Sequence, residues 1–114
     1  MVKLKKAVIA VMLTIATMAH AEFIDGNLLL SRMLGDDLDQ VFALAYTVGA
    51  ADSSNGVYWC PKGDMKSIEV FNLTKALLIA TPTKRNTSAD VFVVTALRKV
   101  YPCAPKVPAG SKAV

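Results

Sequence analysis

Three carboxylates, Asp36, Asp37 and Asp39, fall within four residues, and two thiols, Cys60 and Cys103, stand far apart in the chain. A tight acidic cluster suits a cation site or a pair of catalytic carboxylates. The surrounding spacing favours a simpler use. Asp37-x-x-Gln40 has the form of a capping box, with Asp37 at the N-cap and Gln40 at N3. Acidic side chains in a first turn also oppose the positive end of the helix dipole. The one histidine, His20, falls in a segment that reads as an export signal. Without it there is no Ser–His–Asp or Cys–His catalysis and no usual zinc ligand set. No Gly-rich phosphate loop is present. Carboxylate-only hydrolysis is the chemistry that remains, and no carboxylate pair stands out for it. These residues point to a protein that acts by binding and is not an enzyme, with no cofactor and no metal.

The export reading rests on the first 21 residues. Lys3, Lys5 and Lys6 form a basic start, Ala7 to Met18 is mostly apolar, and Ala19-His20-Ala21 is a small-x-small cleavage site. An uncleaved anchor helix is the alternative, but the apolar run is short for one. Cleavage after Ala21 leaves residues 22–114, with ten basic and nine acidic side chains. The apparent basicity therefore leaves with the signal, and a net charge near +1 gives no footprint for nucleic acid. No membrane partner is expected after cleavage. Two cysteines in an exported chain are expected to pair. Cys60 and Cys103 enclose 44 residues, counting both ends. In the chain-entropy model that closure stabilises the fold by about 4 kcal/mol.

Four helices must position whatever this chain presents. Asn27 is placed to cap a first helix, Leu28–Leu34, with Leu29, Leu30, Met33 and Leu34 on one face. A second and central helix follows Asp37 and runs to about Asp52. Its stretch Val41 to Ala51 is apolar on nearly every side, interrupted only by Thr47. A helix apolar all round is expected to be buried all round. Leu38, Val41, Phe42, Ala45, Val48, Gly49 and Asp52 make one stripe along it. Asp52 is unfavourably placed near a C-terminus, and a cation, turn N–H groups or plain solvent could each satisfy it. Ser53-Ser54-Asn55-Gly56 is a turn that delivers Tyr58, Trp59 and Cys60.

Asp64 is placed to cap a third helix, Met65 to Ala80. Ile68, Phe71, Lys75 and Leu78 fall in one line, with Val70, Leu73, Leu77 and Ala80 beside it. Thr81-Pro82 stops it, and Pro82 to Thr87 is a polar loop. Ser88 and Asp90 open a fourth helix, Ala89 to Tyr101, whose apolar face is Val93, Ala96, Leu97 and Val100. The run Val91-Phe92-Val93-Val94-Thr95 favours strand by propensity, but the caps and the i, i+3, i+4 pattern favour helix. Residues 104–114 read as a flexible tail. The expected domain is thus residues 22–103: a small, all-α, four-helix unit stapled by a disulfide.

The order of motifs is similar to that of a known family. Phe23-x-x-Gly26-Asn27-x-Leu29-Leu30 is followed by Ala43-Leu44-Ala45-Tyr46-x-x-Gly49-x-Ala51-Asp52. Tyr58-Trp59-Cys60-Pro61-Lys62-Gly63 and Ala96-Leu97-Arg98-Lys99-Val100-Tyr101-Pro102-Cys103 complete the series. The chain resembles the Rap/Tai family of immunity proteins of type VI secretion systems over nearly the whole mature length. The resemblance implies a mostly helical, periplasmic and often dimeric protein. Its partner would be a secreted peptidoglycan amidase, injected by sister cells and blocked by the immunity protein. Many relatives carry one further cysteine pair. The corresponding places here, near Met33 and at Ala43, are apolar, so both members of that pair are missing.

Two stretches are candidates for the partner contact. Tyr58 and Trp59 lie beside the expected disulfide and are of the types that anchor interfaces, although Trp59 reads equally as a cap on the core. Lys84, Arg85 and Asn86 crown the loop between the third and fourth helices, where Arg can pair with carboxylates or simply be solvated. The central helix and the wide face of the third hold more apolar residues than one small bundle needs, so a homodimer is expected. A small periplasmic acid-stress chaperone is the alternative function for a chain of this size, class and compartment.

Overall fold

The computed structural model describes residues 23–105, and the element order is that of four helices. They are α1 (Gly26–Met33), α2 (Asp37–Ser54), α3 (Ser67–Ala80) and α4 (Ala89–Val100), with a short 3-10 turn at Pro82–Lys84. The export segment at residues 1–21, and the tail beyond Pro105, lie outside the described residues. Every pair of helices is in contact, so the four surround one core centred on Leu29, Met33, Leu78, Val93 and Leu97. Among the described residues there is no strand, only isolated bridges such as Asp25 with Ser88.

α1 is held at its start by the loop before α4. Its N-cap is Asp25, whose carboxylate accepts from the Leu28 N–H at 2.8 Å. The Gly26 and Asn27 N–H groups donate to the Thr87 and Arg85 carbonyls at 3.0 and 2.9 Å. The donors that a helix start leaves orphaned are thus taken by another segment. Asn27, expected as the cap, is inside the helix instead. The close approach needs glycine at 26: a Cβ there would lie 2.7 Å from the Phe92 ring and 3.0 Å from the Arg85 carbonyl oxygen.

The cap of α2 also shifts by one residue. Asp36, not Asp37, is the N-cap and accepts from the Asp39 N–H at 2.9 Å. Gln40 does not close a capping box; its side-chain amide donates to the Gly35 carbonyl at 3.0 Å. Asp39 is instead paired with Arg32, whose guanidinium also lies 5.3 Å from the centroid of the Phe42 ring. The hydrogen bond from Arg32 holds the Asp39 carboxyl below its usual range. The acidic cluster is therefore used to start one helix and to tie it to the one before.

α2 overturns the expectation of all-round burial. It buries Ala43, Thr47, Ala51 and Ser54, a face of small residues, and extends to Ser54 rather than Asp52. Thr47 and Ser54 satisfy their hydroxyls on the helix itself, through the Leu44 and Ala50 carbonyls at 2.9 and 2.7 Å. Small side chains let the other helices approach its backbone closely. The stripe that begins at Leu38, 79% exposed, and runs through Val41, Phe42, Ala45 and Gly49 to Asp52 faces outward. A domain this small has too few elements to cover both faces of its longest helix.

α3 begins at Ser67, two residues later than expected, and Asp64 does not cap it. Lys66 stands at its N-cap without a side-chain hydrogen bond. Gly63, at φ +65°, keeps the preceding segment turned, and Met65 packs partly buried against the core instead of opening the helix. Val70, Phe71, Thr74 and Leu78 are the buried line, whereas Ile68 is exposed. α4 is helical despite its β-branched run. It buries Ala89, Phe92, Val93, Ala96 and Leu97, with Phe92 taking the place expected of Val100.

Candidate functional site

The Cys60–Cys103 pair is at disulfide distance, with Cα atoms 4.7 Å apart. The Cys60 N–H donates to the Tyr101 carbonyl at 2.9 Å, so the turn after α2 is fastened to the end of α4 by backbone as well as sulfur. That turn is built by Gly56 at φ +78° and by the Val57 and Tyr58 N–H groups, both donating to the Ser54 carbonyl.

Trp59 is a core residue, 3% exposed. Its indole N–H donates to the Ala51 carbonyl and the Ser54 hydroxyl, both at 3.0 Å. The side chain therefore does not present itself to a partner. What it does is lock the turn onto the last turn of α2, leaving Tyr58, 57% exposed, and Val57 projecting from a rigid base.

The second candidate stretch divides in a similar way. Arg85 is half-buried, and its guanidinium donates to the Leu78 and Ile79 carbonyls at 2.6 and 3.3 Å. With the Thr81 hydroxyl on the Leu77 carbonyl at 2.8 Å, it caps the C-terminus of α3, where a cation is favoured. Its own carbonyl receives the Asn27 N–H. Arg85 is thus the pin that fixes the loop, while Lys84 and Asn86 stay exposed at its tip.

These two stretches meet the same element. A hollow of about 360 Å³ is lined by Tyr58, Asp90, Val91, Val94, Thr95 and Arg98. A second, of about 260 Å³, is lined by residues that include Thr81, Lys84, Thr87, Val91 and Thr95. Val91 and Thr95 border both, so the outward face of α4 runs between Tyr58 on one flank and Lys84 on the other. The sequence carried a signal for this face that hydrophobic patterning passes over. Val91, Val94, Thr95 and Arg98 repeat at i, i+3, i+4, i+7 on the side opposite the buried line. Behind it, burial raises the Tyr46 phenol above its usual pKa, and the Asp90 carboxylate adds to the effect.

Asp52 is exposed at the end of α2, beside a polar hollow that Asn55, Asp64 and Lys66 also line. Among the described residues, no group of three or more His, Cys, Asp or Glu is placed to hold a metal ion. No helix among them is long and apolar enough to cross a membrane.

The turn that carries Tyr58 and the basic loop are thus both pinned to one disulfide-linked helical scaffold. The model of the Rap1a immunity proteins matches residues 26–103, from the first residue of α1 to the closing cysteine, and the chain belongs to that family. It is accordingly an immunity protein directed against a secreted effector. None of the curated proteins compared matches the sequence.

Proposed function

We propose that this protein is exported to the periplasm, where it binds and inhibits a peptidoglycan amidase delivered by a type VI secretion system. It would so protect the producing cell, without catalysis of its own. The family match across the whole four-helix unit carries this reading. The surface chemistry supports it. An inhibitor of a hydrolase must hold specific side chains rigid before it meets its target, because ordering them on contact costs affinity. Tyr58 stands on the Trp59 lock beside the cysteine pair, and Lys84 and Asn86 stand on the Arg85 pin. Direct contact falls to Tyr58, Lys84 and Asn86; Trp59 and Arg85 act by positioning them. The test is co-expression of a type VI secreted peptidoglycan amidase of the same bacterium, directed to the periplasm, with and without this chain. Cells carrying both are expected to survive. Lysis at the same rate in both cultures would contradict the proposal.

We further propose a homodimer through the exposed α2 stripe, with Leu34 extending it at the end of α1. Leu34, Leu38, Val41 and Phe42 are exposed apolar side chains in one neighbourhood, a pattern typical of a covered surface. Sedimentation is expected to show a dimer at micromolar concentration and a monomer for Leu38→Asp, with unchanged helix content. A wild-type monomer would contradict it. The acid-stress chaperone reading requires apolar surface that is bared when carboxylates protonate. The α2 stripe is exposed while the adjacent Asp39 is held in its charged form, and family membership favours immunity.

A further inference from the structure

Once α4 has buried Ala89, Phe92, Val93, Ala96 and Leu97, its outward side carries Val91, Val94, Thr95 and Arg98. β-Branched residues are poor choices for the exposed face of a helix. They are stiffer there than straight-chain residues and lower helix propensity. Val91 is 47% exposed, so burial within this chain does not fully offset that cost. The same stiffness is an advantage in contact with another molecule. A side chain already confined to one rotamer loses little entropy when it is covered.

The shape around these residues is a ridge between two hollows. Val94 and Asp90 slope towards Tyr58, and Thr87 slopes towards Lys84 and Thr81. From Val91 to Thr95 the crest is about 6 Å long, at the rise of an α-helix. A flat or convex partner would touch the crest and leave both hollows unfilled. A partner with a cleft would receive the crest and place one rim in each hollow.

Charge selects the rims. The Asp90 carboxylate, in the first hollow with Arg98, accepts from the Ser88 hydroxyl at 2.6 Å and the Val91 N–H at 3.0 Å, both at Oδ1, and makes no ion pair with that arginine. Arg98 in the first hollow and Lys84 in the second have no ion-pair partner among the described residues. Each hollow therefore offers one uncommitted cation to an incoming group.

We propose that α4 is the wedge of the immunity protein: its Val91–Thr95 crest enters a cleft of the effector whose two rims carry carboxylates, one meeting Arg98 beside Tyr58 and the other meeting Lys84. This rests on the immunity reading and assigns the contact to a helix face in addition to the two loops. Both loops then serve as shoulders of one continuous surface.

The test is titration calorimetry of the full mature chain against the type VI secreted amidase that it protects against in co-expression. Val91→Glu, Arg98→Glu and Lys84→Glu are each expected to weaken binding by about tenfold or more. Ile68→Glu, on an exposed part of α3 away from the ridge, is expected to bind as the wild type does. Thermal melting of each variant separates a lost contact from a lost fold. In addition, a photo-crosslinking benzoylphenylalanine at Thr95 is expected to capture the amidase. Wild-type binding with no loss in the three ridge variants would overturn the wedge and leave the immunity reading standing. Equal loss in Ile68→Glu, or no crosslink from position 95, would also overturn the wedge. Absence of wild-type binding would overturn the immunity reading, and the wedge with it.

Discussion

Replacing Trp59 with alanine is expected to destabilise the protein by about 3–5 kcal/mol, the usual range for truncating a buried aromatic. The side chain is part of the core, so its removal leaves a cavity beside Ala51. It also removes the indole donor from the Ala51 carbonyl and the Ser54 hydroxyl; Ser54 keeps its bond to the Ala50 carbonyl and still donates to the Ala51 carbonyl at 3.2 Å, so each lost hydrogen bond counts for about 0.5–1.5 kcal/mol. Trp59→Phe separates the two contributions. It keeps much of the volume and loses the hydrogen bonds, so a smaller loss, about 1–3 kcal/mol, is expected. Urea denaturation of both variants measures the difference. A loss below about 1 kcal/mol for the alanine variant would be out of line with core burial.

The second large effect is that of the cysteine pair. Substituting either Cys60 or Cys103 by serine is expected to cost about 2–5 kcal/mol. The constraint acts chiefly on the unfolded chain, by closing a loop between residues 43 apart in sequence. The double variant should therefore be no less stable than either single one, because one closure is lost in each case. Reducing the wild type should lower its stability by a similar amount and leave the variants unchanged. The hydrogen bond from Cys60 to Tyr101 does not involve sulfur, so the folded ends are expected to stay near each other even when reduced. Mass spectrometry of non-reduced peptides from protein isolated under oxidising conditions is expected to show residues 60 and 103 linked; two free thiols would contradict the prediction.

The number of helices and the linked cysteines were legible in the sequence because local signals agree on them. Turn residues, prolines and 3.6-residue periodicity all mark the same four segments. Helix starts were less legible. Three aspartates near one helix start can each act as a cap, and the choice of Asp36 depends on which residue the chain leaves extended after Gly35. The orientation of α2 was hidden for a different reason. A helix apolar on every side has no phase, so its pattern cannot tell that the small side of Ala43, Thr47 and Ala51 packs inward.

The candidate site was half legible. Tyr58 and Trp59 are neighbours of similar character, yet one projects and the other is locked inward by acceptors five and eight residues earlier. Arg85 finds its partners six and seven residues back, at a helix end whose position the sequence placed well but whose carbonyls it could not aim. The α4 ridge was passed over because Val91 and Val94 read as ordinary apolar residues of a helix. Only the packing shows which of the seven apolar side chains from Ala89 to Leu97 are spent on the core.

The most direct test of the proposed immunity function is peptidoglycan hydrolysis by a type VI secreted amidase of the same bacterium, the proposed target, followed while the purified chain is titrated in. Hydrolysis is expected to fall to nothing at about one immunity protomer per amidase, with the two proteins eluting together on gel filtration. Undiminished hydrolysis in the presence of excess protein, with the two eluting apart, would contradict it.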